Sequence, residues 1–250
     1  MKKLVLSIVV LFSVFSFAQT PEALFAKANN FYKNGNYSKA IDTYLSIEKQ
    51  GLQSDVLYYN IGNSYYKLNK VAPSIYYYEK ALKINPANED VISNLAFAKR
   101  MTIDVIEELP KTFLQRFTAN VIQKYTFDTW AIIAVSTSFL AALLFLFYYF
   151  SSGTKIKLLL FNTSILALFI LAISTFFAFK NYDIVKNTKM AIIFTDKVEV
   201  KNAPTTTSDD AFELHEGTKV QILDELDNWK KIKLADGKIG WIAKRNLKEI

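Results

Sequence analysis

The chain has 250 residues, with Lys+Arg 30, Asp+Glu 23 and a formal net charge of +7. It holds no cysteine and one histidine, His215, which excludes disulfides, thiolate metal sites, cysteine nucleophiles and any histidine-cluster metal centre. Acidic residues interleave with the basic ones in both polar regions, so the charge forms no nucleic-acid surface.

Residues 1–18 read as an export signal. Lys2 and Lys3 open it, 4–17 is apolar, and Ser16 and Ala18 stand at the small-x-small positions of a cleavage site. Cleavage after Ala18 leaves Gln19 as the new terminus; the alternative is an uncleaved anchor.

Residues 19–102 repeat. Ala28, Gly62 and Ala96 recur at intervals of 34, as do Leu24, Tyr58 and Ile92, and the pairs Phe31/Tyr65 and Tyr44/Tyr78. With Ala40, Ser74, Ala81 and Pro86 at their motif places, this region resembles the tetratricopeptide repeat family. The small eighth residue lets two helices approach, and aromatics fill the space between them. Asn34-Gly35 makes the turn within the first repeat, and Asn85-Pro86 closes the second. A third first-helix over 89–100 caps the stack. In Tyr76-Tyr77-Tyr78 the three rings cannot share one direction, so Tyr78 is read as core and Tyr77 as exposed.

The resemblance implies a peptide-binding concave surface. The family's groove positions fall on Phe25, Asn29 and Tyr32, then Tyr59, Asn63 and Tyr66, then Phe97. Asn29 and Asn60 match the asparagines of a carboxylate clamp used by some members. Phe25, Asp90 and Asn94 occupy the places of that clamp's cations, so its ligand is not carried over. An aromatic groove with amides suits an extended or helical peptide.

Residues 103–128 form a linker containing an amphipathic helix over 112–125, with Phe113, Leu114, Phe117, Val121 and Tyr125 on one face. It lies in a membrane interface or packs back onto the repeats. Two apolar runs follow, 130–150 and 158–179, free of Asp, Glu, Lys, Arg, His and Pro. Each is long enough to cross a bilayer as a helix. The turn 151–157 between them carries Lys155 and Lys157, which the positive-inside bias places in the cytoplasm. The segments on either side then share the opposite, periplasmic face of the inner membrane. Ala134, Ser138 and Ala142 form a small-residue stripe for helix contact. With no ionisable residue in either run, a proton or ion path is excluded, and the hairpin reads as an anchor.

After a short polar linker, 188–250 turns to period two. Ala191–Phe194, Val198–Val200, Val220/Ile222 and Ile232/Leu234 read as strands, with a hairpin turn at Asp236-Gly237. Leu214-His215-Glu216-Gly217, Trp229 and Gly240-Trp241-Ile242 make this part similar to the bacterial SH3-like domains. That resemblance implies a small barrel binding proteins or cell-wall peptides, with Trp229 and Trp241 as ligand residues. His215 reads as an exposed strand-end residue.

The fold class is therefore a multidomain membrane protein: an all-α repeat domain, a two-helix transmembrane hairpin and an all-β SH3-like barrel. The order of modules resembles the BatE-type proteins of aerotolerance operons. This implies membrane-protein partners, specifically Bat-type proteins with von Willebrand factor A domains, alongside peptide segments, membrane lipid and peptidoglycan. No phosphate loop, nucleophile elbow or metal-ligand spacing occurs, so a non-enzymatic scaffold without cofactor is expected. The competing expectation is an envelope sensor whose barrel binds peptidoglycan peptides.

Overall fold

The computed structural model describes residues 20–250; the export signal lies outside the described residues. The chain divides into two bodies between Gln53 and Ser54.

The first body holds α1 (Pro21–Lys33) and α2 (Tyr37–Glu48). Thr20 caps α1, its hydroxyl accepting from the Ala23 amide at 3.3 Å, with Pro21 in the first turn where a missing N–H costs nothing. Ala28 and Ala40 are fully buried. These two small side chains let the helices close on one another, while Tyr44 and Ile47 fill the space beside them.

The second body begins with α3 (Asp55–Lys67), α4 (Val71–Ile84) and α5 (Glu89–Lys99). Gly62 is obligatory there. A Cβ at this position would come within 2.7 Å of the Tyr78 ring, so the second repeat's small residue admits the aromatic of its partner helix. Ser74 donates its hydroxyl to the Gly62 carbonyl at 3.0 Å, a contact only such proximity permits. Tyr76, Tyr77 and Tyr78 are all buried, which corrects the expectation for Tyr77. The rings do point apart, but both sides of α4 are covered. Tyr77 stacks on Tyr65 at 5.7 Å, and Tyr76 meets Phe194 of the β region edge-on at 5.7 Å.

The amphipathic segment is not one continuous helix. A Thr112–Gln115 capping box starts α6 (Phe113–Phe117), which passes into a π-helical turn, Thr118–Ile122. The reason is tertiary. The Ile122 carbonyl is drawn off by the Trp130 indole N–H at 2.9 Å, and the Asn181 amide donates to Tyr125 O at 2.7 Å. Phe117 packs edge-on against Phe177, while Phe113 and Leu114 stay exposed.

The hairpin comprises α7 (Phe127–Phe150) and α8 (Thr154–Asn187). Both are long and apolar enough to cross a membrane. They are not core helices of a soluble body, since little of their apolar surface is covered and Phe139 and Phe179 are each 72 % exposed. The connection is shorter than 151–157, because α8 already begins at Thr154. Ala134 and Ala141 are buried on α7, and Ser164, Ala167, Ser174 and Asn181 on α8. The spacing is thus mainly seven residues rather than the four-residue stripe expected, and Ala142 is exposed. A seven-residue interval keeps one seam of a helix against its neighbour. Ser164 and Ser174 satisfy their hydroxyls on their own helix, at Phe161 O and Ile170 O. No polar linker follows. Asn181 is buried beyond the apolar run, and the helix continues to Asn187, two residues short of the first strand.

Seven antiparallel strands follow: β1 (Lys189–Ile193), β2 (Lys197–Lys201), β3 (Asp210–His215), β4 (Lys219–Leu226), β5 (Trp229–Lys233), β6 (Ile239–Ala243) and β7 (Leu247–Glu249). Their order is β3-β2-β6-β5-β4-β1-β7. Val200, Leu214, Val220, Ile232 and Ile242 form one core with residues from both ends of the sheet, so the sheet curls around it as an SH3-like fold. Gly237, at φ +93°, makes the tight β5–β6 turn. At Gly240 a Cβ would collide with Val200, so the glycine sets how closely β2 crosses β6.

Candidate partner-binding surfaces

Within the first body, Phe25, Asn29 and Tyr32 lie on α1 and are half-buried. Asn29 Oδ1 accepts the Tyr44 hydroxyl at 2.5 Å, and Phe25 packs against the same ring at 5.7 Å. Tyr32 meets Tyr37 edge-on at 5.2 Å.

Within the second body, Tyr59, Asn63 and Tyr66 occupy one side of α3, again half-buried. Asn63 Oδ1 accepts from the Tyr78 hydroxyl at 2.6 Å and from Asn94 Nδ2 at 2.8 Å. Asn94 Nδ2 also reaches Tyr59 Oη at 3.1 Å. The tyrosine-to-asparagine bond therefore recurs in both repeats at the same sequence separation. It holds each asparagine carbonyl inward and leaves the amide nitrogen of Asn63 as a donor. Asn94, read only as the replacement of a clamp cation, ties α5 into this network; its one-turn offset from Phe97 was the available signal. Phe97 is 51 % exposed beneath the Arg100 guanidinium.

On the barrel, Trp229 and Trp241 share one face. Lys231 stands opposite Trp241, Trp229 opposite Ala243, and side chains facing across strands lie on the same side. Both tryptophans are half-buried, with the Lys231 ammonium 5.9 Å from the Trp241 ring centroid. The opposite face carries Lys230, which is 1 % exposed. Burial opposes its charge, but Glu249 and then Glu225 hold its pKa above the usual lysine value. Lys244 and Lys230 in turn hold the Glu225 carboxyl down to about 2. Glu225 is thus an ion-pair partner of both lysines.

The junction of repeats and barrel was not legible in the sequence. Glu79, 8 % exposed, accepts from Lys219 of β4 at 2.6 Å and pairs with Lys99 at 3.4 Å. The Lys248 ammonium lies 4.5 Å from the Tyr76 ring centroid. Gly217, at φ +87°, sits so close to α4 that a Cβ would meet Val71 at 3.0 Å, Ile75 at 3.1 Å and Thr102 at 2.8 Å. The segment after α5 then runs along the barrel as a strap. Ile106 packs on the barrel core, and the Leu109 amide donates to Ala235 O at 3.1 Å.

Asp104 fastens this strap. Its carboxylate accepts the His215 amide at 2.7 Å, the His215 ring Nδ1 at 2.7 Å and the Thr218 hydroxyl at 2.5 Å. Burial would raise its pKa, yet the bonds from Thr218 and His215 outweigh that and lower it. His215 is therefore not an exposed strand end: its side chain is 23 % exposed and engaged by Asp104. Among the described residues no cluster of His, Asp and Glu could hold a metal ion.

Residues 196–248 match the bacterial SH3 domain family, and 56–88 match the tetratricopeptide repeat family. No curated protein matches the chain. Among solved structures, the first tetratricopeptide domain of Spaghetti (RPAP3) bound to the HSP90 peptide SRMEEVD is 26% identical. That match covers 34% of this chain and 68% of the other, with a TM-score of 0.32. The chain thus carries a tetratricopeptide repeat and a bacterial SH3 domain, both of interaction families, joined to two helices long and apolar enough to span a membrane.

Proposed function

We propose that this protein is a non-enzymatic, membrane-anchored scaffold. Its hairpin spans the inner membrane and both soluble modules face the periplasm. Phe25, Asn29, Tyr32, Tyr59, Asn63 and Tyr66 take a peptide or helix of a partner, and Trp229 and Trp241 add a second contact. By resemblance of module order, the partners are membrane proteins of a Bat-type stress-tolerance complex.

The observation that carries this reading is the fused junction. Glu79–Lys219 and Asp104–His215 bind the second repeat and the barrel into one body beside the hairpin. A partner held by one module meets the other at fixed distance, which raises its effective concentration there and strengthens a two-point grip without new contacts. The Asn63–Asn94–Tyr59 network presents fixed amide and hydroxyl groups beside an aromatic surface, the chemistry that reads an extended backbone.

The test is photocrosslinking in native membranes from Tyr66 replaced by a photoreactive residue. Products with one or two other membrane proteins are expected, and they should disappear in a Tyr59, Asn63 and Tyr66 triple alanine variant. Crosslinks confined to this chain, with retention of the isolated 188–250 fragment by purified sacculi, would instead favour peptidoglycan recognition by the tryptophan face.

A further inference from the structure

We infer that the crevice where the second repeat meets the hairpin holds the headgroup of a zwitterionic aminophospholipid. The inference rests on the membrane-spanning reading of α7 and α8. A cavity of about 410 Å³ lies here, lined by Lys83, Ile84, Phe127, Asp128, Asn181 and Val185. A second, of about 230 Å³, continues it past Lys83, Gln123 and Val185. Together they match the size of small-molecule sites, roughly 300–1,000 Å³.

The height of this crevice selects the ligand class. Asp128 stands two residues before the first apolar run and Asn181 two residues after the second, so the lining sits at the headgroup layer of a spanned bilayer. Tyr125 against Trp130 and Phe127 against Tyr182, with ring centroids at 5.8 and 5.5 Å, supply the interfacial aromatics of that level. At that depth the surrounding solvent is lipid headgroup. The crevice is also preformed, because the bonds from Asn181 to Tyr125 O and from Trp130 to Ile122 O fix its floor.

The charges select among headgroups. Lys83 and Asp128 are the charged residues lining the larger cavity, and Glu79 and Lys219, which line the smaller one, pair with each other. Lys83 donates one proton to the Ile250 main-chain oxygen at 2.8 Å and keeps others for a phosphate. Asp128 accepts from a primary ammonium, while Phe127 and Val185 line the path to the glycerol. An anionic glycerol headgroup would leave the Asp128 charge opposed rather than paired. A choline headgroup has no N–H to give it.

The experiment is native mass spectrometry of the full chain in mild detergent, with equimolar phosphatidylethanolamine, phosphatidylcholine and phosphatidylglycerol. Preferential retention of phosphatidylethanolamine is expected. Asp128→Asn should lower it on the order of tenfold, the effect of losing one charge-assisted bond, and Lys83→Gln should weaken all phospholipids together. Both residues are exposed, so unchanged circular dichroism and melting verify folded variants. Equal retention of the three lipids, a preference for phosphatidylglycerol, or an indifferent Asp128→Asn variant overturns the inference alone. Release of the wild-type chain from membranes by alkaline carbonate overturns the spanning reading and this inference with it.

Discussion

Replacing Asp104 by alanine tests whether one carboxylate fixes the strap to the barrel. The change removes the acceptor of three bonds, from the His215 amide, the His215 ring and the Thr218 hydroxyl. Thr218 is 4 % exposed, so water cannot readily replace the lost partner. Leaving one buried donor unpaired costs about 1–3 kcal/mol, and a bond to a charged acceptor contributes about 1.5–3 kcal/mol. Because the three bonds share one acceptor, their loss does not add fully, and a net cost of about 3 kcal/mol is expected. The cost falls locally, since the barrel core of Ile232, Ile242 and Val220 is untouched. Hydrogen exchange read by mass spectrometry should therefore show the 101–111 and 214–219 amides losing protection by about a hundredfold, while the β5 and β6 amides keep theirs. Asp104→Asn, which retains one acceptor, should fall between. The pH dependence follows from the lowered pKa of Asp104. A carboxyl whose folded value lies below its unfolded value stabilises fully above the unfolded value, near 4. That stabilisation is lost as pH falls from there through the folded value. Unchanged exchange at 101–111 in a folded Asp104→Ala protein would refute the argument.

Three further outcomes are expected. Gly217→Val places a branched side chain at φ +87° among Val71, Ile75 and Thr102, so limited proteolysis should cut the strap far faster than in the wild type. Gly62→Val forces Tyr78 from its place against α3 and should destabilise the repeats by roughly 1–3 kcal/mol, read as a lower thermal midpoint of their helical signal. Asn181→Leu removes the donor to Tyr125 O and should shift the fluorescence of Trp130; an unaltered spectrum in that variant counts against the pinned π-turn.

Much of the architecture is written in short-range pattern. The interval of 34 places Gly62 against Tyr78, because the helix pair it encodes closes within one repeat. The apolar runs mark the hairpin by length alone. Asp236-Gly237 marks a turn that needs a positive φ, and the structure has one there. The bonds from Tyr44 to Asn29 and from Tyr78 to Asn63 likewise close between the two helices of one repeat.

Most of what misled the sequence reading lies between modules. His215 looks exposed when the barrel is considered alone, and it is covered because the strap crosses the barrel. Tyr77 is covered within the repeats, by Tyr58 and Tyr65 of α3. Residues 180–187 look like a linker by polarity, yet Asn181 finds its partners in a segment far earlier in the chain. Hydropathy periods report which face of an element is buried, not which distant element buries it. Asp104 meets His215 across 111 positions and Glu79 meets Lys219 across 140. The sequence by itself determined the repeat helices, the two long apolar helices and the strand pattern, because each is set by residues one or two turns apart. Only the tertiary structure decided that the second repeat, strap and barrel form one body, because that union depends on single polar pairs whose spacing follows no period.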